Sequence, residues 1–364
     1  MKIKDITNYL EELAPLSQAE DFDNVGLLVG DVQTKVTGVL VTLDTLESVV
    51  DEAITQKCNL IVSFHPILFK GIKKINPTTY VERVITKAIK NDIAIYSMHT
   101  ALDNAFNGVS GKMADILGLQ NKRILVPKPH TIKKLSTYVP NASADVLRNT
   151  LFEAGAGNIG DYDNCSFNSK GLGTFKANNN ANPTIGEKGS LHTEPETLIS
   201  VTFQSHLEYT ILKALFDAHP YEEVAYEVVS LDNFNQNIGM GMVGELQNPT
   251  NITSFLKEIQ TKFNAKGIRF SKLLDKQIKT VAVLGGSGSF AIADAKKAKA
   301  DVYITADLKY HDFFKAENNI ILIDIGHFES EQFTKNLIVD YLTEKFRNFA
   351  VVLSKINTNP INYI

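Results

Sequence analysis

Short, wholly apolar runs separated by amphipathic stretches set the pattern of this chain. Gly38-Val39-Leu40-Val41-Thr42-Leu43 reads as a buried strand, and Asp44 with Glu47 resembles a capping box ahead of Leu46, Val49, Val50, Ala53 and Ile54 at helical spacing. A second strand follows at Leu60-Ile61-Val62-Ser63, then a helix from Val81 to Lys90 and a third strand, Ile93 to Met98. Strand, helix, strand in this order is a parallel crossover unit. The C-terminal part repeats it: strand Val281 to Leu284, helix Phe290 to Ala298, strands Asp301 to Ile304 and Ile320 to Ile323. The helix behind carries an apolar stripe of Phe333, Leu337, Ile338, Tyr341, Leu342 and Phe346. The two parts read as pieces of one doubly wound α/β domain.

Between them the order changes. Leu135 to Val139 (strand), Ala144 to Ala154 (helix), Cys165 to Phe167 (strand), Leu198 to Phe203 (strand), Leu207 to Ala218 (helix) and Ala225 to Leu231 (strand) spell βαββαβ, the order of a ferredoxin-like unit. Its centre holds a polar loop, Asn178 to Pro183, with no regular structure expected. The chain therefore divides into a discontinuous α/β domain, 1–129 and 241–364, and an inserted domain, 130–240.

Composition adds limits. With 364 residues, 44% hydrophobic and 21% charged, the chain has material for two or three cores. Its 37 basic and 41 acidic side chains leave a formal charge of -4, so no broad nucleic-acid or membrane-surface footprint is indicated. No apolar run approaches the roughly 20 residues that span a bilayer, and no signal-like segment opens the chain. A cytoplasmic protein is expected. Cys58 and Cys165 form no CxxC and read as passive thiols.

Two glycine-rich segments need weighing. Gly239 to Gly244 matches GxGxxG, but a polar loop precedes it and Pro249 follows, so a hinge returning the chain to the main domain fits better than a dinucleotide fingerprint. Gly286-Ser287-Gly288 lies after a strand and before a helix, as either a tight turn or an anion cradle. Among eight histidines, His130, His192 and His206 sit in polar surroundings, and His219 lacks an evident metal partner.

Four residues from separate segments stand where strands end: His65, Asp103, His327 and Glu331. The last two are an i, i+4 pair opening a helix, which puts imidazole and carboxylate on one face. Strand ends of open α/β sheets collect ligands. The set reads either as a metal site or as separate core and capping residues.

At these residues the chain resembles the GTP cyclohydrolase 1 type 2-like family, also called NGG-interacting-factor-like. The motifs are Asp23-Asn24-Val25-Gly26-Leu27, His65 to Gly71, Met98 to Asp103, Val283 to Gly288, Thr305 to Asp312, and Gly326-His327 with Ser330-Glu331, in family order along essentially the whole chain. The resemblance implies a split α/β domain with a dinuclear metal centre, a PII- and CutA-like insert, and a toroidal homohexamer. The family's metal ligands fall on His65, Asp103, His327 and Glu331, and the implied metals are Zn, Fe or Mn. The family usually has two consecutive histidines after the second strand, and here the first is Phe64, which cannot coordinate. One tight metal and one weak or absent are therefore expected.

The implied activity is a metal-dependent hydrolase that opens the imidazole ring of GTP, or otherwise hydrolyses a nucleotide or phosphoester. His99 and His311 are candidates for proton transfer or for support of the ligands. The rival expectation is a non-catalytic metal-binding regulatory or assembly protein.

Overall fold

The apolar runs that read as strands become the centres of two sheets rather than of one. A computed structural model describes all residues, Met1–Ile364, and separates into two compact units, Met1–Pro127 with Gln236–Ile364, and Lys128–Asn235. The divisions fall at 127/128 and 235/236, a few residues before the positions expected.

The first segment gives α1 (Ile3–Leu13), β1 (Gly26–Val29), β2 (Val39–Thr42), α2 (Glu47–Thr55), β3 (Leu60–Ser63), α3 (Tyr80–Lys90), β4 (Ala94–Ser97), α4 (His99–Asp103), α5 (Val109–Leu117) and β5 (Gln120–Pro127). The second unit follows with β6 (Ile132–Pro140), α6 (Ala144–Glu153), β7 (Phe167–Lys176), β8 (Leu191–Gln204), α7 (Glu208–Ala218) and β9 (Tyr226–Ser230). The chain returns with β10 (Gly239–Asn251), α8 (Ile252–Lys262), β11 (Arg269–Phe270), β12 (Gln277–Ser287), α9 (Ile292–Lys297), β13 (Val302–Ala306) and β14 (Ile321–Asp324). It finishes with α10 (His327–Glu331), α11 (Thr334–Lys345) and β15 (Val351–Leu353).

In the first sheet, β2, β3 and β4 are parallel and buried at every residue, which is why they read as continuous apolar runs. Antiparallel β1 closes the β4 edge, and β15, from the far end of the chain, runs parallel to β2. In the second sheet, β12, β13 and β14 are parallel, antiparallel β11 closes the β14 edge, and β10 and β5 extend the β12 side. An apolar run specifies burial on two faces but not which neighbour it pairs with, so the single doubly wound sheet expected from sequence is corrected to two.

The glycine-rich stretch from Gly239 is likewise no hinge but the start of β10, paired on both sides. Gly241 has φ +72, and its missing side chain admits Leu125 and the Val283 carbonyl at 3.1 Å from the position a Cβ would take. The glycines serve close strand contact.

In the second unit, two helices cover one face of an antiparallel sheet ordered β7-β8-β6-β9. Leu135, Val139, Ile199, Val201 and Phe203 pack there against Leu147, Leu151, Ile211 and Leu215. No helix is long and apolar enough to cross a membrane. Cys58 is buried and both cysteines are free.

Candidate metal centre

Each imidazole of the site is set by its strand. β3 ends at Ser63, Phe64 continues into the core, and His65 follows, its N–H donating to the Leu43 carbonyl at 2.9 Å. β14 ends at Asp324, and Gly326, at φ +95, turns the chain so that His327 opens α10. A helix of five residues is not stable alone. Here Ser330 braces it, Oγ donating to the His327 carbonyl at 2.7 Å while accepting the Gly286 N–H at 2.9 Å.

The two rings lie 5.5 Å apart between centroids. His65 Nδ1 lies 2.8 Å from Asp44 Oδ1, and His327 Nδ1 lies 2.7 Å from Asp307 Oδ2. Those carboxylates fix the tautomer with the proton on Nδ1 and leave Nε2 free to face inward. Both Nε2 atoms approach the same oxygen, Glu331 Oε2, at 3.1 Å for His65 and 3.2 Å for His327. The distances suit an ion pair, yet the angles make no hydrogen bond, so Glu331 Oε2 is buried without a partner. Glu331 is 4% exposed. Two ring nitrogens and a carboxylate oxygen lie within 4.8 Å of one another.

Donor atoms gathered this closely could hold a divalent cation. Metal bonds of roughly 2.0–2.2 Å at tetrahedral or octahedral angles would separate neighbouring ligand atoms by about 2.8–3.6 Å, and the contacts of 3.1 and 3.2 Å to Glu331 Oε2 fall inside that interval. Burial disfavours the charged imidazoles, but the bond to Asp44 and the close Glu331 carboxylate push His65 up to about 10, and the bond to Asp307 and the same Glu331 push His327 up to about 11. Glu331 is drawn down to about 2, burial being outweighed by the same two imidazoles.

Asp103 does not join the 4.8 Å set. It closes α4, and burial, then the charge of Glu331, raise its carboxyl well above the ordinary range, with no hydrogen bond among the influences. A carboxylate repelled by another carboxylate across a gap gains from a cation between them.

His99 stands beside this set, 5.4 Å from His65 between ring centroids, with backbone φ +23. Its Nδ1 is 2.8 Å from Asp23 Oδ1, and Asp23 also accepts the Thr100 N–H at 3.0 Å. Burial opposes ionisation of Asp23, but these bonds hold its carboxyl down to about 2. Strained backbone at a polar cluster, held by a buried carboxylate, is a mark of a working site. Phe64 is fully buried; its ring lies 5.5 Å from His99 and its carbonyl accepts the His99 N–H at 2.9 Å. His311 is exposed, packs against Tyr310 and Phe314, and is not part of the cluster.

The turn at Gly286-Ser287-Gly288 resolves to a packed feature rather than an anion cradle. The Gly286 N–H is committed to Ser330, Ser287 Oγ donates to Asp307, and the Gly288 carbonyl accepts Tyr303 OH. Gly286 sits at φ +67, and a Cβ there would run into Glu331 Oε1. Its absence of side chain makes the room in which Glu331 lies.

Asp44 and Asp307 were not legible as site residues. Asp44 resembled a helix cap, but α2 begins at Glu47 with Leu46 at its cap. Instead Asp44 holds His65 and accepts Thr358 Oγ1 at 2.6 Å. Each carboxylate follows the strand next to the one that delivers its imidazole, β2 beside β3 and β13 beside β14. That offset is the signal that could have found them.

Fold and site define a mixed α/β protein of several sheets with two imidazoles and a buried carboxylate converging at strand ends. The chain belongs to the family described as Duf34/NIF3 (NGG1p interacting factor 3), which matches residues 1–360. It is 36% identical over 365 residues to a GTP cyclohydrolase 1 type 2 homolog of Bacillus subtilis (strain 168), covering 99% of this chain and 98% of that one. Identity to the homolog of the same name from Listeria monocytogenes is 37% over 369 residues, covering 98% and 97%. The crystal structure of a Bacillus cereus protein related to NIF3 superposes with a TM-score of 0.86 at 36% identity, covering 100% of this chain and 99% of that one.

Proposed function

We propose that this protein is a metal-dependent hydrolase in which His65, His327 and Glu331 hold one divalent cation, Zn, Fe or Mn, with Asp103 as the fourth donor. The observation that carries the reading is the partnerless Glu331 Oε2 facing two Nε2 atoms whose Nδ1 atoms are already fixed by carboxylates. When bound, the cation supplies Lewis-acid polarisation and an acidified water. The chain's own residues do the rest. Asp44 and Asp307 orient the imidazoles and raise their basicity, Gly286 gives Glu331 its place, and His99, aimed by Asp23, is positioned to move a proton beside His65.

The substrate class that accompanies this reading is a nucleotide, GTP or a related phosphoester, from the name borne by the relatives at 36–37% identity. A toroidal homohexamer and a ferredoxin-like identity for the second unit, supported by its βαββαβ order, belong to the same reading. Phe64 is fully buried in the core, so the second metal position lacks an imidazole there. The test is elemental analysis of dialysed protein, followed by assay against GTP and model phosphodiesters. One equivalent per chain is expected, and Phe64→His should add a second; two full, dialysis-resistant equivalents in the unaltered protein would overturn the one-metal reading. Turnover that persists in a His327→Ala, Glu331→Ala variant would remove the centre from catalysis.

A second reading, a metal-binding regulatory or assembly protein without catalysis, is favoured by the same Phe64, since a two-metal mechanism needs both cations. Tight metal binding with no turnover of either substrate class would select it.

A further inference from the structure

The second unit contains a cavity of about 590 Å³ on the sheet face opposite its helices. Its size falls among small-molecule sites, roughly 300–1,000 Å³. The floor is Glu196, 8% exposed, on a strand whose alternate residues Thr197, Ile199 and Val201 face the helices.

Glu196 is given space deliberately. β7 pairs with β8 so that Gly171 stands opposite Glu196, and a Cβ on the neighbouring Gly173 would run into the Glu196 carboxylate. Tyr221 OH donates to Glu196 Oε1 at 2.8 Å, and burial, then this bond, push the Tyr221 phenol up, so it stays a donor. Tyr221 engages the carboxylate at Oε1, while Oε2 lies where a Gly173 Cβ would stand, on a residue that lines the cavity, and can accept a donor from an occupant.

The roof is the polar segment that carried no regular structure in the sequence. Asn182 N–H donates to Glu222 Oε1 at 2.7 Å and Thr184 Oγ1 to the Pro220 carbonyl at 2.9 Å, pinning Pro183 and Ile185 across the sheet. Ile185, Leu198 and Phe175 make the enclosed walls mainly apolar. At the rim, Glu222 and Glu223 are offset by Lys170 and Lys176, so the single charge inside decides the sign of the occupant.

The geometry points to a binding site for a small molecule with an apolar, ring-sized body and one protonated amine, its nitrogen donating to Glu196 Oε2. It is a separate site from the metal centre. A bare metal ion does not fit, because only one free oxygen is offered.

The test uses the full chain and two probes with the same phenylethyl body and opposite charge, phenethylamine and 3-phenylpropionate, titrated by calorimetry and by protein NMR. Phenethylamine should bind saturably, and 3-phenylpropionate about tenfold or more weakly. Glu196→Gln should weaken phenethylamine about tenfold and abolish the preference between probes. Ile185→Trp, which fills the cavity without touching Glu196, should remove binding of both, with unchanged melting of each variant showing that the unit stays folded. His327→Ala should bind phenethylamine like the unaltered chain. The proposal is overturned if phenethylamine fails to saturate by about 10 mM, if both variants bind it normally, if the anion binds as well as the amine, or if His327→Ala loses binding. It is equally overturned if Ile185→Trp changes the oligomer size in sedimentation, because the face is then covered by a second copy of this chain.

Discussion

Replacing Asp307 by Asn keeps an oxygen that can accept from His327 Nδ1 but removes the negative charge. It therefore isolates what the carboxylate's charge does for this imidazole. Asp307 accepts from His327 at 2.7 Å and from Ser287, and the bond to His327 leads in holding its carboxyl down to about 2, against an ordinary 3.8. That preference corresponds to about 2 kcal/mol before screening. Asp307 is 48% exposed, so about 1 kcal/mol survives solvent screening. One kcal/mol is about fivefold in affinity, just below the 10- to 100-fold usual for such supporting groups. Asp307→Asn should then weaken metal binding about five- to tenfold, read by competition with a chromophoric chelator at fixed pH. Asp307→Ala, which loses the hydrogen bond as well, should weaken it further. Asp312→Asn, whose carboxylate serves Lys309 and Lys315 instead, should leave affinity unchanged. Equal affinities for Asp307→Asn, Asp307→Ala and the unaltered protein would refute the idea that Asp307 acts through His327.

Because His65 and His327 in the metal-free protein are pushed up to about 10 and 11, metal must displace their protons, and affinity should climb between about pH 6 and 9 by up to two protons per metal; a pH-independent affinity would contradict this. The same raised values stabilise the metal-free fold fully below an ordinary histidine pKa of 6.5, so urea unfolding of that form should show stability falling as pH rises from about 7 towards 10 and 11. Gly286→Ala, forced to φ +67 and against Glu331, should cost about 1–3 kcal/mol of stability and most of the metal affinity; a normally metallated variant would show that Glu331 is not confined by this turn. Thr358→Val, which removes the donor to Asp44, should lower metal affinity a few-fold without changing the melting temperature of the metal-free form, measured in parallel by calorimetry.

The parallel strands β2, β3, β12, β13 and β14 were legible because they are buried on both faces and so lack polar interruptions. The partition into two sheets was not, since it depends on which edge β1, β10 and β15 occupy, and no local pattern states a pairing partner. β10 was misread because a glycine in a strand and a glycine in a hinge look alike until the neighbour that needs the space is known. In the site, residues delivered directly by strand ends, such as His65 and His327, were visible as residue type plus position. Asp44 and Asp307 were hidden because their role lies in what touches them across strands: Asp44 looked like a cap, and Asp307 lay inside a motif without a role of its own. His311 had a motif around it but no burial to bring it inward.

The imidazole and carboxylate donors come from two sheets with separate cores, His65 and Asp44 from the sheet whose centre includes Val41 and Val62, and His327, Glu331 and Asp307 from the sheet whose centre includes Val283 and Ile304. A cation held between them would act as a rivet joining two cores that otherwise meet through helices such as α5, which gives Val109 to one and Met113 to the other. Cooperativity then becomes a property of occupancy. With the cation bound the unit should melt as one, and with it stripped the two halves should part into separate transitions, so the sharpness of melting reports the state of the centre.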